Sequence, residues 1–362
     1  MSAAGAVVIG AGVVGLACAA ELASRGRDVL VLERHEGPAR ETSSRNSGVV
    51  HAGLYYPTGS LKAQSCVEGR ELVYERCARD KIQYRKVGKL IVATRDDELR
   101  GLHELYDRGL ANGTGALRLI DEAELERVEP RLRARAALWS PETGIVDPQG
   151  LCDSYRRQAL ANGASFAWRT ALVGLEPRGG GWRVRTADAS VDCELLVNAA
   201  GLESDRVAAL AGLDIDALGW RIHPCKGDYF AIASRLGAIT THLVYPLPQG
   251  AGLGVHVTMD LGGTYRAGPD VEHVPAPRYD IDPQKSLRFA EALRRFLPEI
   301  EAADLTPDYA GVRPKLQAPG GPFRDFVLEE RPAGLVHLVG IESPGLTAAE
   351  SLARRVARMA GG

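Results

Sequence analysis

Three glycines stand at the spacing Gly10-x-Gly12-x-x-Gly15, and a carboxylate, Glu33, closes the apolar run that follows. Gly10 permits a tight turn, Gly12 lets the backbone approach a pyrophosphate, and Gly15 lets a helix lie close on a strand. The phosphates would sit at the helix N-terminus, where free N–H groups and the dipole favour negative charge. Glu33 is placed to accept hydrogen bonds from a ribose diol. An acid there disfavours a 2′-phosphate, which argues against NADP. The unit by itself leaves NAD and FAD both open.

Other residue types gather beside this turn. The segment Thr42–Tyr56 is dense in hydroxyls and amides and carries Arg45 and His51. Val197-Asn198-Ala199-Ala200-Gly201 ends an apolar run in small residues, allowing another group to come close. Pro344-Gly345-Leu346-Thr347 offers a second helix N-terminus, suited to the electron-rich pyrimidine edge of a reduced flavin.

The elements that must position these residues are legible as local patterns. Gly5–Ile9, the glycine turn, Leu16–Arg25 and Asp28–Glu33 read as strand, turn, helix and strand, with Gly26 as the helix stop. Glu41–Ser60 reads as a site-building loop, Leu61–Arg79 as a helix, Ile82–Thr94 as strands and Asp96–Ala111 as a surface helix. Asp147-Pro148 caps a helix running to Gly163. Leu172–Glu176 and Trp182–Thr186 form a hairpin through Gly179-Gly180-Gly181, and Cys193–Asn198 is a further strand. Leu253–Gly268 alternates as antiparallel strands. Asp282-Pro283 starts a helix that stops at Pro298. Leu335–Val339 and Leu346–Met359 close the chain as strand and helix.

Composition narrows the class. The 362 residues are 45% apolar and 25% charged, a globular balance, and 44 basic against 46 acidic residues leave a net charge of −2. No basic excess points to nucleic acid. No apolar run reaches the roughly 18–20 residues of a membrane span. Six scattered cysteines without a Cys-x-x-Cys pair make a disulfide framework or metal site improbable, so a cytoplasmic protein is expected.

With these residues in view, the chain resembles the FAD-dependent oxidoreductases of the D-amino-acid oxidase superfamily, and within it the L-2-hydroxyglutarate dehydrogenases and oxidases. The likeness rests on Arg45-Asn46-Ser47-Gly48-x-x-His51-Ala52-Gly53-x-Tyr55-Tyr56, Lys226-Gly227-Asp228-Tyr229-Phe230, Leu253-Gly254-Val255-His256-Val257-Thr258, Gly311-Val312-Arg313 and Ser343-Pro344-Gly345-Leu346-Thr347. The chain departs from those enzymes at Lys226-Gly227-Asp228-Tyr229, where they show Arg-Gly-Glu-Tyr, and at Pro314-Lys315, where they show Ala-Gln. It departs again at Ile341–Thr347, where their turn resembles Ala-Pro-Ser-Pro-Ala-Ala-Thr, and it is shorter than the typical member.

The resemblance implies an α/β fold: a discontinuous Rossmann-like FAD-binding domain (1–85, 145–217 and 325–362) and an antiparallel-sheet α+β substrate domain (86–144 and 218–324). FAD, covalent or noncovalent, would be held by Gly10, Gly12, Val14, Gly15, Glu33 and Arg34. Thr42, Ser43, Arg45, Asn46, Ser47 and Gly48 would extend that site, with Leu172, Ala200 and Gly201. Gly345, Leu346 and Thr347 would face the flavin carbonyl.

The implied reaction is oxidation of a small 2-hydroxy acid, L-2-hydroxyglutarate to 2-oxoglutarate, with electrons passing to a quinone, another acceptor or oxygen. A base must take the hydroxyl proton, and His51 and His256 are the candidates. Lys226, Arg266 and Arg313 would clamp carboxylates, with Tyr55, Tyr56 and Tyr245 as hydroxyl donors. No metal is expected, and membrane contact would be peripheral. The rival readings are an amino-acid or amine oxidase, a glycerol-3-phosphate-type dehydrogenase, and a flavin-binding accessory protein without turnover.

Overall fold

The strands Ala4–Ile9 and Leu335–Val339 are apolar almost throughout because they are buried on both faces. In the computed structural model, which describes residues 4–248 and 254–361, they belong to one eight-stranded sheet. Ser165–Ala167, Val29–Leu32, Ala4–Ile9, Ser190–Asn198 and Leu335–Val339 run parallel in that spatial order. The expected hairpin appears as Gly174–Arg178 and Gly181–Arg185, pairing antiparallel with the first half of Ser190–Asn198. Val327–Glu330 adds an antiparallel edge.

Helices Val13–Ser24, Pro148–Ala161 and Gly345–Met359 share one apolar core with this sheet, and Leu61–Asp80 packs against the last of them. Asp147 caps Pro148–Ala161 through Gln149 N–H, as its sequence suggests. The Asp282-Pro283 expectation needs correction. Asp282 accepts a hydrogen bond from Gln284 N–H in a turn, and the helix spans only Lys285–Arg294.

A nine-stranded sheet carries the second core. The hairpin Val257–Met259/Tyr265–Ala267 lies within the expected alternating segment, whose first residue, Leu253, is outside the described residues. The sheet is antiparallel except that Lys89–Ala93 and Leu243–Pro246 pair parallel. Its longest pair, His223–Ile232 with Leu305–Lys315, has little sequence signature. Lys226, Gly227 and Asp228 interrupt the apolar pattern, and the register shifts between Asp228 and Phe230. Val49–Val50, Gly144–Val146 and Tyr84–Arg85 form a small third sheet.

Candidate active site

The glycine turn is built by close backbone contact. Gly10 has φ +98°, and a Cβ there would lie 2.7 Å from the Ala199 carbonyl oxygen. A Cβ on Gly15 would lie 2.0 Å from the Gly10 carbonyl oxygen, so only glycine lets the helix approach the strand. Helix Val13–Ser24 starts at Gly12 without a capping side chain of its own. Instead Val13 N–H donates to Ser43 Oγ at 2.9 Å, which ties the polar segment to the helix end. Glu33 is buried and accepts from Ala11 N–H and His35 N–H, each at 2.8 Å. Those two bonds fix the carboxylate and leave lone pairs for a further donor.

A cavity of about 320 Å³ opens here, lined among others by Gly10, Glu33, Arg34, Leu172, Ala200 and Gly201. Gly12, Thr42, Ser43, Ala199 and Gly201 also line a second cavity of about 200 Å³, so the two join into one long cleft. Arg34 pairs with Glu41 and, at 3.8 Å, with Glu203.

The polar segment spans the gap between the two large sheets. Asn46 donates to the Ser43 carbonyl at 2.8 Å and accepts from Gly48 N–H at 2.9 Å, fixing the bend. Thr42 Oγ1 donates to the Val312 carbonyl at 3.1 Å, and Arg45 reaches the Ala310 carbonyl at 3.3 Å. Gly311 makes this contact possible, because a Cβ there would lie 2.2 Å from the Arg45 carbonyl oxygen. On the other side, His51 N–H donates to Thr347 Oγ1 at 3.0 Å.

The second cavity collects most of the expected chemistry. Val14, Arg45, Asn46, Ser47, His51, Tyr245, His256, Arg313, Gly345 and Leu346 all line it. His51 lines this cavity and is half-buried. Its Nε2 lies 3.3 Å from Ser343 Oγ, and its Nδ1 has no hydrogen-bond partner among the described residues. Burial first, and the Lys89 ammonium second, push the His51 imidazole down to about 3. It is therefore uncharged at neutral pH. His256 is buried and stacks on Tyr245 with ring centroids 3.5 Å apart. Arg313 donates to the carbonyls of Cys225, Lys226 and Asp270, which position the guanidinium without cancelling its charge.

Seven expected residues lie outside the lining of either cavity. Lys226 is buried beside Asp228 at 2.6 Å, within a cluster that includes Lys285 and Glu272. Arg266 is drawn to Asp260 at 2.7 Å and to Asp308 at 2.5 Å. Both cations are thus corrected to ion pairs of the second sheet, because nearby carboxylates compete for them at contact distance. Tyr55 and Tyr56 back the cavity, with Tyr56 sharing a hydrogen bond with Ser343. Gly15 and Gly48 act through packing, since a Cβ on Gly48 would meet the Val146 carbonyl at 2.9 Å. Thr347 is buried and holds the His51 backbone.

Three residues escaped the sequence reasoning. Tyr229 lines the cavity and bonds Ser47. Glu342 also lines it, paired with Lys62 at 3.0 Å and Lys315 at 3.6 Å. Burial works to raise the Glu342 carboxyl, but Lys62, Lys315 and Arg313 outweigh it and hold it below the usual range. The two departures at Lys315 and Glu342 are therefore one feature, an ion pair at the cavity wall. Lys89, behind His51, heads the otherwise apolar strand Lys89–Ala93, and that isolated charge was the available signal.

The cleft suits a dinucleotide with a redox-active ring: the glycine cradle and Glu33 at one end, and His51, Arg313 and the uncapped start of helix Gly345–Met359 at the other. This is the arrangement of a flavin-dependent oxidoreductase. The chain belongs to the DAO family of FAD dependent oxidoreductases, whose model matches residues 6–359.

It is 39% identical to the mitochondrial L-2-hydroxyglutarate dehydrogenase of Arabidopsis thaliana, over 97% of this chain and 82% of that protein. Identity to the L-2-hydroxyglutarate dehydrogenase of Indibacter alkaliphilus is 30%, over 98% of both chains. Among solved structures, L-alpha-glycerophosphate oxidase from Mycoplasma pneumoniae, with FAD bound, superposes with a TM-score of 0.90 at 25% identity. That match covers 100% of this chain and 96% of the other. FAD is thus the cofactor, and the chain is an enzyme. Among the described residues, no helix is long and apolar enough to cross a membrane.

Proposed function

We propose that the enzyme oxidises L-2-hydroxyglutarate to 2-oxoglutarate. The observation that carries this reading is the meeting of His51 and Arg313 in one cavity, at the end of the cleft away from Glu33. The names of the similar dehydrogenases support the substrate. Bound FAD would supply a hydride acceptor for the substrate carbon.

The chain's own residues do the rest. The glycine turn and Glu33 would hold the adenosine diphosphate half, and Thr42–Ser47 with Gly345–Leu346 the flavin half. Arg313 binds the carboxylate next to the reacting carbon, its guanidinium already oriented by three carbonyls. His51, uncharged at neutral pH, accepts the substrate hydroxyl proton at Nε2, the nitrogen facing Ser343. Removing that proton as the hydride departs avoids leaving a protonated ketone.

The strands and helices divide between two large sheets, which supports a cofactor unit of residues 1–85, 145–217 and 325–362 and a substrate unit of 86–144 and 218–324. A cytoplasmic site of action, with peripheral membrane contact to deliver electrons to a quinone, completes the reading. Six buried, unpaired cysteines suit a reducing compartment.

Anaerobic mixing of the holoenzyme with single substrates tests the proposal. L-2-hydroxyglutarate should bleach the flavin rapidly, and its D enantiomer should not. Bleaching by glycerol 3-phosphate alone would instead favour a phosphate clamp at Arg313, the reading that the glycerophosphate oxidase fold supports. His51→Gln should keep its flavin and lose about a thousandfold in kcat; a near-normal kcat would remove His51 from the reaction.

A further inference from the structure

Behind His51 lies an amine that the reaction just described does not use. Lys89 is wholly buried, and its Nζ has no hydrogen-bond partner among the described residues. Two rings enclose it, Tyr55 at 4.5 Å and Tyr245 at 4.7 Å from Nζ to centroid. Both rings offer their negative π faces, which partly replace lost hydration. Tyr245 stacks on His256 and lines the cavity, while His51 lies close enough to feel the ammonium's field.

A further ionisable neighbour is Cys66, whose Sγ bonds the His51 carbonyl at 3.4 Å. Burial pushes that thiol up to about 12, and burial likewise raises both tyrosines well clear of neutrality. Lys89 therefore faces neutral His51, Tyr55, Tyr245 and Cys66, with no carboxylate among them to hold its proton. A buried cation without an anionic partner sheds its proton readily. Burial brings Lys89 down to about 7.

We propose that Lys89 is a positioning residue for proton transfer, setting by its own charge how readily His51 takes up the substrate's hydroxyl proton. This rests on His51 being the base. When Lys89 is charged it opposes the imidazolium that the reaction forms. When Lys89 has released its proton to solvent that repulsion disappears and His51 becomes the stronger base. In the reacting step the substrate O–H bond breaks and its proton passes to His51. The electron pair of the adjacent C–H bond leaves with the hydride, and Lys89 contributes no electrons.

Two variants separate charge from structure. Lys89→Met keeps the length of the side chain and removes the charge; Lys89→Arg keeps a permanent charge. Flavin reduction by L-2-hydroxyglutarate, followed by stopped flow, should rise in the wild type as pH passes about 7. Lys89→Met should lose that inflection and hold the fast limb at lower pH. Lys89→Arg should also be flat, on the slow limb. An inflection persisting in either variant overturns the proposal, so Lys89→Arg decides alone if Lys89→Met does not fold.

A second readout does not depend on turnover. In holoenzyme labelled with 13C-histidine, the imidazole signal absent from His51→Gln is that of His51. Its titration midpoint should move to higher pH by about one unit or more in Lys89→Met. An unchanged midpoint would overturn the coupling, whereas a merely structural lysine would lower rates at every pH without moving it. Should His51→Gln turn over normally, the base assignment fails independently, because the midpoint measurement still reports whether Lys89 and His51 are coupled.

Discussion

The two ends of the cleft are built from different materials. At the Glu33 end the backbone makes the site: Gly10, Gly12 and Gly15 bring main chain against main chain, and Glu33 is fixed by two N–H groups. At the His51 end side chains make it, and several have buried polar atoms without a hydrogen-bond partner among the described residues, including His51 Nδ1, Tyr55 Oη and Lys89 Nζ. The first kind of site tolerates almost no added volume. The second is sensitive to charge, because unscreened groups interact strongly away from water. Binding a common cofactor needs a fixed cradle, while moving a proton needs groups whose charge is poised to change.

Substitutions that add volume or remove charge should therefore act differently at the two ends. The largest effect is expected for Gly15→Ala, whose Cβ would meet a backbone oxygen that cannot rotate away. It should cost at least about 4 kcal/mol and release the flavin. Thermal unfolding with and without added FAD measures this, and a holoenzyme of normal stability would break the contrast.

Lys226→Met comes next. It removes one cation from the buried Asp228 cluster, in which Lys285 still pairs with the acid. Stability should fall by about 3 kcal/mol with KM for the hydroxy acid unchanged. A raised KM with normal stability would return Lys226 to the substrate site.

Lys89→Met should have an effect of opposite sign. The folded-state value of about 7 lies below the ordinary 10.5, so the unfolded chain binds more protons between those limits and stability rises with pH across them. The penalty is absent above 10.5, grows as pH falls toward 7 and is constant below. The variant should melt a few degrees higher than wild type at pH 6.5, with the advantage vanishing near pH 10.5. An advantage independent of pH would mean that packing, not charge, is responsible. Arg266→Ala should change least, leaving KM within about twofold, since two carboxylates already hold that guanidinium.

Legibility in the sequence follows the same division. The cofactor end was readable because its demands are local: a turn, a close approach and a helix start impose glycine at fixed spacing within a few residues. The same holds for the strand Leu335–Val339 and the helix after it, whose apolar runs carry their own boundaries. The substrate end was readable only as a set of residue types. Arg313 and Lys226 were equivalent cations in the sequence. They were separated by an ion-pair cluster in which Lys226 meets Asp228 on its own strand at 2.6 Å while Lys285 and Glu272 close in from elsewhere in the chain.

What the sequence determined by itself was the dinucleotide turn, the acid that completes it, and the polar segment beside it. These are short-range consequences of φ angles, Cβ volume and hydrogen-bonding capacity. Only the tertiary structure decided which cations stay free to meet a substrate, that Lys315 pairs with Glu342, and that Lys89 lies buried between two tyrosines behind His51. Burial and charge pairing are properties of segments distant in the chain, and the field at His51 exists only once the polar loop, the Lys89 strand and the Tyr245 strand are assembled around it.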